Sequence, residues 1–522
     1  TMVNPSSNDN VIDNPLEREG PVPVLLRLTA NAAFLRSTDG RFYAQVSVGG
    51  RPEIYALRSA AFRDWQIDGY FRACGELPSD WSIRRVLAKL EATARFEGGT
   101  PSIFVRVGHD GDRNGNGSAC YLDLADPGGQ AVQIGPEGWS VVNNPRVHFH
   151  RPAGHLPLPM PSRDGSIDLL RPYVNLTDRD FRLLILWMAA ALRPAGPYPI
   201  LALYGQNGSA KSTLAKIVRR LIDPQAHPIL AEPRNTRELM VSAVNGWLLV
   251  YDNISVIPRW LSDGLCLLAT GGALAGYASF TNGERTVIHA QRPVILNGIE
   301  EFVRRGDLSD RALFLDLPPI LPSRRRCEDE FWEAFHQDYP RILGGLLDAV
   351  AGGLRELPSV RLTELPRMAD FAKFAEAVGR KLGWPAGTAL SDYNNNRIDA
   401  TMTQLEDSPV AAVLLDLGPD YLNDWSGSPT ELLYELTAIA GKHADSPRWP
   451  KQPAWLTIEL RRIAPQLAIH GIFAHSTRRN QGRVWSLTRD RKATETNGEM
   501  RNLMADEHFG LEPETTDEDR QL

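Results

Sequence analysis

The chain has few cysteines, no long apolar run and no excess of positive charge. Its cysteines lie far apart and form no CxxC pair, which argues against a disulfide framework and a zinc ribbon. They are Cys74, Cys120, Cys266 and Cys327. No apolar stretch approaches the ~20 residues of a membrane span, and the first fifteen residues are polar and Asn-rich, unlike a secretory leader. We therefore expect a cytoplasmic protein with no membrane partner.

A formal charge of −6 also argues against a chain that coats nucleic acid with its whole surface. Any nucleic-acid contact must then come from local basic patches. The chain is too long for one hydrophobic core, and 43% apolar residues supply enough material for several. We predict a multidomain α/β protein.

The predicted domains follow changes in composition and periodicity along the chain. Alternating short strands around a helix at 82–96 indicate α+β structure, and Thr177 is a good N-cap for a buried helix at 178–192. Strands alternating with helices after residue 199 predict a mostly parallel sheet. The predicted parts are a flexible tail (1–20), an N-terminal α+β domain (21–165), a linking helix (166–195), an α/β core (196–322), a helical lid or spacer (323–410), a winged-helix domain (411–489) and an acidic disordered tail (490–522).

A phosphate-binding loop is the strongest motif in the chain. The strand predicted at 200–203 runs into a Gly-rich loop, and a helix predicted at 214–221 follows at once. The loop is Gly205, Gln206, Asn207, Gly208, Ser209, Ala210, Lys211, Ser212 and Thr213. Its N–H groups are expected to cradle the β-phosphate, with Lys211 at the β- and γ-oxygens and Ser212 on Mg²⁺. We therefore predict ATP and Mg²⁺ as cofactors.

Ala210 stands where such loops usually carry a glycine before the lysine. A methyl group is tolerated there if the local φ is negative, and it matters if the loop needs a left-handed turn. The sequence leaves both conformations open.

Two further strands end in polar residues that suit nucleotide chemistry. The strand predicted at 247–251 ends in Asp252, a candidate to hold the Mg²⁺ water shell, followed by Asn253. Asn253 can orient water but cannot accept its proton, so slow hydrolysis, or a base from elsewhere, is expected. The strand predicted at 292–296 ends in Asn297, which would sit beside the γ-phosphate if this strand lies between the first two.

A basic residue, Arg311, precedes the next predicted strand. A cation placed there can point into a neighbouring subunit's site and stabilise the transferring phosphoryl group. Arg304 and Arg305 compete for that role, and a surface ion pair is the alternative for Arg311.

With the loop, Asp252, Asn297 and Arg311 in this order, the core resembles the AAA+ ATPases, and within them the superfamily III helicases of viruses, satellite phages and plasmids. The phrases RWLSDGLCLLATGG, QRPVILNGIE and DLSDRALFLDLPPI are similar to ATP-binding proteins of phage and mobile-element replication modules, some with a fused primase–polymerase. The resemblance covers roughly residues 40–488. It implies a DNA motor forming a homohexamer, with a primase or another replication protein as a further partner.

The segment 277–289 alternates around Asn282 and Gly283, which predicts a hairpin. In that superfamily such a hairpin lines the hexamer channel, and the resemblance implies that Arg285 and His289 grip DNA here. The predicted winged helix adds five arginines on its recognition helix and wing, with docking of a protein as the alternative to DNA. These arginines are Arg461, Arg462, Arg478, Arg479 and Arg483.

Two other patterns carry less weight. The run from Asp110 to Asn116 starts like a calcium loop, but Tyr121 stands where a bidentate Glu is needed, so a turn between strands is expected. His148, His150 and His155 lie close together, yet their alternation indicates a strand edge rather than a zinc site.

Three functions follow from these patterns. The first is a ring-forming, ATP-driven DNA motor or helicase. The second is an ATP-dependent switch in a mobile-element or defence system that binds DNA or a partner without unwinding, which Asn253 favours. The third, a small-molecule kinase, has no use for Asn297, Arg311 and a winged helix.

Overall fold

The computed structural model describes residues 20–489, apart from 38, 112–118, 278–284, 300–301, 304, 407, 418–423 and 480–481. The predicted tails at 1–20 and 490–522 lie outside these residues except for Gly20. Two compact units are present: one holds the chain up to Phe302 together with Arg311–Tyr393, and the other holds Val303–Asp310 and the chain from Asn394 onward. The predicted multidomain α/β class, including a parallel sheet, is confirmed.

The first described segment forms three helices and an antiparallel sheet of order β1-β2-β3. The elements are α1 (Pro21–Leu28), β1 (Ala33–Arg36), β2 (Phe42–Val48), β3 (Arg51–Ala56), α2 (Ala60–Cys74) and α3 (Asp80–Phe96). In α3, Ile83, Val86 and Leu90 recur at helical spacing and are buried, while the Ser79 side chain accepts a hydrogen bond from the Ser82 N–H. The helix predicted at 82–96 is thus confirmed, with its start two residues earlier.

A second antiparallel sheet, of order β5-β6-β7-β8, follows, with a separate parallel pair formed by β4 and β9. The strands are β4 (Ile103–Phe104), β5 (Val107–His109), β6 (Cys120–Asp123), β7 (Ala131–Gly135), β8 (Gly138–Val142) and β9 (His148–Phe149). At the end of β5 the Asp110 carboxylate accepts hydrogen bonds from the Ala119 N–H and the Tyr121 hydroxyl, both 2.9 Å long. These bonds fit the predicted turn; residues 112–118 of the calcium-like run lie outside the described part.

The central sheet has the order β11-β14-β10-β15, and its neighbouring strands are parallel. Its segment comprises α4 (Asp178–Ala191), β10 (Ile200–Tyr204), α5 (Lys211–Ile222), α6 (Thr236–Asn245), β11 (Leu249–Tyr251), α7 (Arg259–Thr270), β12 (Gly272–Tyr277), β13 (Arg285–Ala290), β14 (Val294–Asn297), α8 (Gly306–Ser309) and β15 (Ala312–Asp316). The strands are buried apolar runs, as expected for a sheet covered on both faces. β14 lies between β10 and β11, which meets the condition for Asn297 to lie beside the phosphate loop.

The register of this sheet brings the polar strand ends together. Leu203 near the end of β10 pairs with Asn297 at the end of β14, and Tyr251 at the end of β11 pairs with Leu296. Because the carboxyl ends of parallel strands share one edge, the loop after β10, Asp252 and Asn297 are neighbours there.

Three helices complete the first unit and lead into the second: α9 (Glu328–Glu356), α10 (Ala369–Lys381) and α11 (Thr388–Glu406). Within the range predicted as a helical lid or spacer, α9 is one long helix that continues through Pro340. Among the described helices, none combines the length and the low polarity that crossing a bilayer requires.

The second unit contains a three-stranded antiparallel sheet of order β16-β18-β17 beside three helices. Its elements after α11 are α12 (Pro409–Asp416), β16 (Trp425–Gly427), α13 (Pro429–Ile439), α14 (Pro453–Ile469), β17 (Ile472–Arg479) and β18 (Gly482–Arg489). A capping box of Ser428 and Glu431 starts α13. Leu456, Leu460 and Trp485 lie in the buried core of the second unit. From α13 onward the order is two helices followed by two antiparallel strands.

Candidate functional site

The loop between β10 and α5 is shaped by two glycines with positive φ. Gly205 has φ 141° and Gly208 has φ 82°. A side chain at Gly205 would meet the Leu317 carbonyl oxygen at 2.5 Å from its Cβ, so only glycine fits. The loop therefore turns sharply and enters α5 at Lys211.

Ala210 adopts the left-handed conformation, with φ 68° and ψ 27°. Of the two conformations that the sequence left open, the strained one occurs. As the N-cap of α5, Ala210 supplies no side-chain hydrogen bond to the first turn of the helix. The N–H groups at this helix start therefore have no side-chain cap, which is the arrangement that binds an anion.

The Lys211 ammonium folds back on the loop. Its Nζ donates to the Gly205 carbonyl at 2.7 Å and to the Gln206 carbonyl at 3.0 Å. Burial lowers the pKa of Lys211, while Asp252 and Asp316 act in the opposite direction. The flexible lysine stem allows the charge to exchange these carbonyls for phosphate oxygens.

Ser212, Asp252 and Asn297 form one hydrogen-bonded group. The Ser212 hydroxyl donates to Asp252 Oδ2 at 3.0 Å and accepts from Asn297 Nδ2 at 3.1 Å. Asn297 is 1% exposed, and its Oδ1 accepts no hydrogen bond within the described residues. The next residue after Asp252, Asn253, has φ 59° and donates its N–H to Asp252 Oδ1 at 2.7 Å.

A cavity of about 440 Å³ joins these groups. Its lining includes most of the residues predicted for the nucleotide site, together with Gly298 and Ile299, which the sequence patterns did not single out. The lining residues are Asn207, Gly208, Ser209, Ala210, Lys211, Ser212, Thr213, Asp252, Asn253, Asn297, Gly298 and Ile299. Gly205 and Gln206 instead hold the Lys211 ammonium.

Arg311 lies away from this cavity. Its carbonyl accepts from the Ile200 N–H at 2.8 Å, so it sits where β10 and β15 begin, at the opposite edge of the sheet. Its Nη1 is 3.8 Å from the Cys266 sulfur on α7. Of its two competitors, Arg305 forms an ion pair with Asp307 at 3.2 Å, and Arg304 lies outside the described residues. Arg311 is thus not gathered with the other predicted catalytic residues of its own chain.

The predicted hairpin is formed by β12 and β13, which pair antiparallel from Gly272 and Ala290 to Tyr277 and Arg285. His289 is exposed and pairs with Ala273 near the base of the hairpin. The Asn-Gly turn and the Arg285 side chain lie outside what the structure describes.

The five arginines predicted for the winged helix differ in their surroundings. Arg461 on α14 and Arg478 on β17 are exposed. Arg462 donates two hydrogen bonds to the Glu459 carboxylate, of 2.9 and 2.6 Å. Arg483 on β18 pairs with Arg478, and Arg479 on β17 pairs with Gly482; the side chains of Arg479 and Arg483 lie outside the description.

Sequence reasoning missed three exposed, large apolar side chains on the second unit. Trp455 and Ile458 on α14 are 55% and 65% exposed, and Tyr434 on α13 is 80% exposed. Trp455 and Ile458 are three residues apart and therefore share a helix face. Apolar residues at helical spacing are normally predicted to be buried, so the sequence alone does not show that these side chains are exposed.

A buried charged cluster behind the site was also missed. Asp223, at the end of α5, accepts from Arg106 Nε at 3.0 Å and lies 3.6 Å from Arg219 Nη1. It also accepts the N–H groups of Trp247 and Leu248, just before β11. Burial opposes ionisation of Asp223, but Arg219 and Arg106 outweigh it and lower its pKa to about 2. The carboxylate therefore fixes the end of α5 against the chain that enters β11, the strand just before Asp252.

The three histidines do not form a metal site. His150 Nδ1 contacts the Ile54 carbonyl at 3.0 Å, and His155 Nε2 lies 3.9 Å from Asp223. Within the described ranges, no group of three or more His, Cys, Asp or Glu side chains is arranged to hold a metal ion.

Comparison with known proteins gives a family. A family model described as the actinomycete integrative conjugative element replication protein matches residues 167–397, and a model of the C-terminal domain of the same protein, RepA, matches residues 410–501. No curated protein is a significant sequence match. An apo structure of the NrS-1 C-terminal region aligns with a TM-score of 0.41 and 12% identity, covering 90% of this chain and 100% of that one. A second apo structure of that region gives a TM-score of 0.38 with the same identity and coverage. The two RepA models together match more than half of the chain, which therefore belongs to the replication proteins of actinomycete integrative conjugative elements.

Proposed function

We propose that this replication protein is an ATP-hydrolysing, ring-forming DNA motor or helicase with a P-loop core of the AAA+ superfamily III kind. The observation that carries the proposal is the convergence of Lys211, the Ser212–Asp252 pair and Asn297 on one cavity. Lys211 and Ser212 begin α5 after the loop that follows β10, Asp252 follows β11, and Asn297 ends β14. Such a constellation suits a nucleoside triphosphate.

The residues present fit ATP with Mg²⁺. The uncapped start of α5 and the loop N–H groups suit the β-phosphate, and Lys211 can move to the β- and γ-oxygens. Ser212 and Asp252 place two oxygens 3.0 Å apart, a small ligand set that suits an ion which keeps several waters. The bound ion would neutralise charge on the phosphates.

Water activation is the weak part of the proposed reaction. Asn253 can orient a water but cannot take its proton, and Asn297 Oδ1 is a buried acceptor with no hydrogen bond in the described part of the chain. A water held by such amides lacks a general base. We therefore propose slow hydrolysis, accelerated by DNA or by a neighbouring subunit.

In this proposal, the second unit acts as a winged helix, and DNA is bound by this unit and by the hairpin of β12 and β13. The exposed Arg461 and Arg478 are suited to phosphates, with affinity that falls as salt rises. Arg462 is less available because Glu459 already holds it. Homohexamer formation and association with a primase or another replication protein belong to the same proposal.

A second candidate is the ATP-dependent switch that binds DNA or a partner without unwinding. Asn253 favours it, and so do the exposed Trp455, Ile458 and Tyr434, because large apolar side chains on a surface suit protein docking. A small-molecule kinase gains no support from any of these features.

The first test measures ATP turnover by the full chain, alone and with single-stranded or forked DNA, while its mass is recorded with ATP and Mg²⁺. We expect DNA-stimulated turnover by a species of about six subunits. Lys211→Ala should reduce turnover by 10²-fold or more, on the order of 3 kcal/mol of transition-state stabilisation. Lys89→Ala, on an exposed face of α3, is the matched control.

Wild-type turnover in Lys211→Ala would remove the loop from the reaction. Turnover without DNA stimulation by a monomer or dimer would favour the switch.

A further inference from the structure

The chain that leaves β15 runs directly past the phosphate loop. The Leu317 N–H donates to the Tyr204 carbonyl at 2.9 Å, and the Leu317 carbonyl oxygen is the atom that excludes a side chain at Gly205. Asn175 Nδ2 donates to the carbonyl oxygens of both Ser209 and Pro318. The segment after β15 is therefore held against the loop at its first two residues.

The same segment is held again where α9 begins. The Lys216 ammonium of α5 lies 3.8 Å from the Glu328 carboxylate, the first residue of α9. Between these two attachments a 3₁₀ turn, Pro322–Arg324, directs the chain to Arg325. A methyl group built on Gly208 would lie 3.5 Å from Arg325 Nη2. The guanidinium thus lies over the middle of the phosphate loop.

Arg325 differs from the next arginine, Arg326, which packs on an aromatic ring. The Arg326 guanidinium lies 5.3 Å from the centre of the Phe331 ring. Arg325 is exposed, and its guanidinium forms no hydrogen bond or ion pair with the residues the structure describes. Its charge is therefore not satisfied by a carboxylate, and its planar fork can bind two oxygens of one phosphate.

We propose that Arg325 is a phosphate-binding residue that contacts the terminal phosphates of the nucleoside triphosphate from the same chain. The inference rests on the proposed ATP-binding function and adds a cation that the loop motif does not contain. Lys211 approaches from the start of α5, whereas Arg325 approaches from the segment that follows β15. The two cations together enclose the phosphates, and the Arg325 contact links the nucleotide to the start of α9.

The test is the affinity of the full chain for a fluorescent ATP analogue and for ADP, with Mg²⁺ in excess. Arg325→Ala should weaken binding of the triphosphate tenfold to a hundredfold, as loss of a charge-assisted hydrogen bond implies, and should weaken ADP binding less. Arg325→Lys should fall between, because it keeps the charge without the fork. Arg324→Ala, which alters an exposed arginine of the adjacent turn, should change affinity by less than about twofold.

Equal affinities for Arg325→Ala and Arg324→Ala would overturn the inference while leaving the proposed function intact. If wild type and Lys211→Ala both fail to bind the analogue, the proposed function fails and the inference with it. An unchanged Tm in Arg325→Ala is expected for an exposed side chain. If the Tm of Arg325→Ala falls, Arg325→Gln is used instead to remove the charge. Wild-type affinity in a stable Arg325→Gln would overturn the inference.

Discussion

Ala210 is the residue at which the phosphate loop departs most from an unstrained backbone. Its φ of 68° puts the β-carbon close to its own carbonyl oxygen, which costs roughly 1–2 kcal/mol for a residue other than glycine. The cost persists because Gly208 and Lys211 fix the chain on both sides. Local strain of this kind is common at functional sites.

Ala210→Gly should therefore relieve strain. We expect a gain of roughly 0.5–1 kcal/mol in unfolding free energy, because the folded state loses its steric penalty while the unfolded chain gains some freedom. The measurement is chemical unfolding of both proteins without nucleotide. Nucleotide affinity should be retained, since the loop N–H groups keep their positions.

Ala215→Gly is the matched control, because Ala215 is a buried residue inside α5 with ordinary helical backbone. Its free energy of unfolding should fall by about 1 kcal/mol or more. If both variants lose stability equally, the left-handed conformation of Ala210 carries no strain.

For single residues, a contact could be predicted from the sequence only where the order of the parallel strands is enough to bring the residues together. Ser212, Asp252 and Asn297 could be grouped in advance because parallel strands end at one edge. Arg325 could not, since the path of the chain after β15 has no local signature. Nor could the pairing of Arg462, because its surface position alone does not distinguish a free arginine from a held one.

At the scale of elements, the charged cluster around Asp223 joins parts of the chain that are distant in sequence. Arg106 and Asp223 are both fully buried and lie 117 residues apart. His155 packs beside them with a side chain that is 3% exposed. Periodicity shows neither their contact nor their burial, because charged residues are normally assigned to the surface.

Burial lowers the pKa of His155 from 6.5 to about 4, and Asp223 opposes this only in part. Between these two values the unfolded chain binds a proton that the folded chain does not. Stability is therefore fully present above pH 6.5 and is lost as the pH falls toward 4. From pH 7 to pH 5 we expect His155 to account for a loss of about 2 kcal/mol.

The check is the unfolding free energy of wild type, His155→Gln and His227→Gln at pH 7 and pH 5. Between pH 7 and pH 5, the unfolding free energy of His155→Gln should fall less than that of wild type, by about 2 kcal/mol. His227→Gln, at an exposed position, should follow wild type. A loss in His155→Gln as large as that of wild type would show that this histidine is not the titrating group.

Several elements were predictable from pattern, but their ends were predicted only to within a few residues. The helix α3 begins two residues before its predicted start, and the helix at Asp178–Ala191 ends one residue earlier than expected. The hairpin before β14 begins at Gly272, five residues before the predicted start. The Gly- and Ala-rich residues there have low β-propensity, and pairing with β13 is what makes them a strand. In α9, Pro340 did not divide the helix.

At the scale of the whole molecule, the position of Arg311 matters most. It lies where β15 begins, and the phosphate loop lies where β10 ends, roughly 16 Å away along the strands. The predicted role of Arg311 therefore requires a second subunit whose site it completes. The predicted contact exists only in an assembly of subunits.

Mixing two inactive variants tests that arrangement. Lys211→Ala keeps Arg311 but has no working loop, and Arg311→Ala keeps the loop but not the cation. Each alone should have little ATP turnover, with nucleotide binding retained by Arg311→Ala. When subunits mix at random in a head-to-tail ring, about a quarter of the interfaces combine a working loop with a working arginine. Turnover of the mixture should then exceed the sum of the separate proteins, whereas turnover equal to that sum, or full turnover by Arg311→Ala alone, would exclude Arg311 as the shared residue.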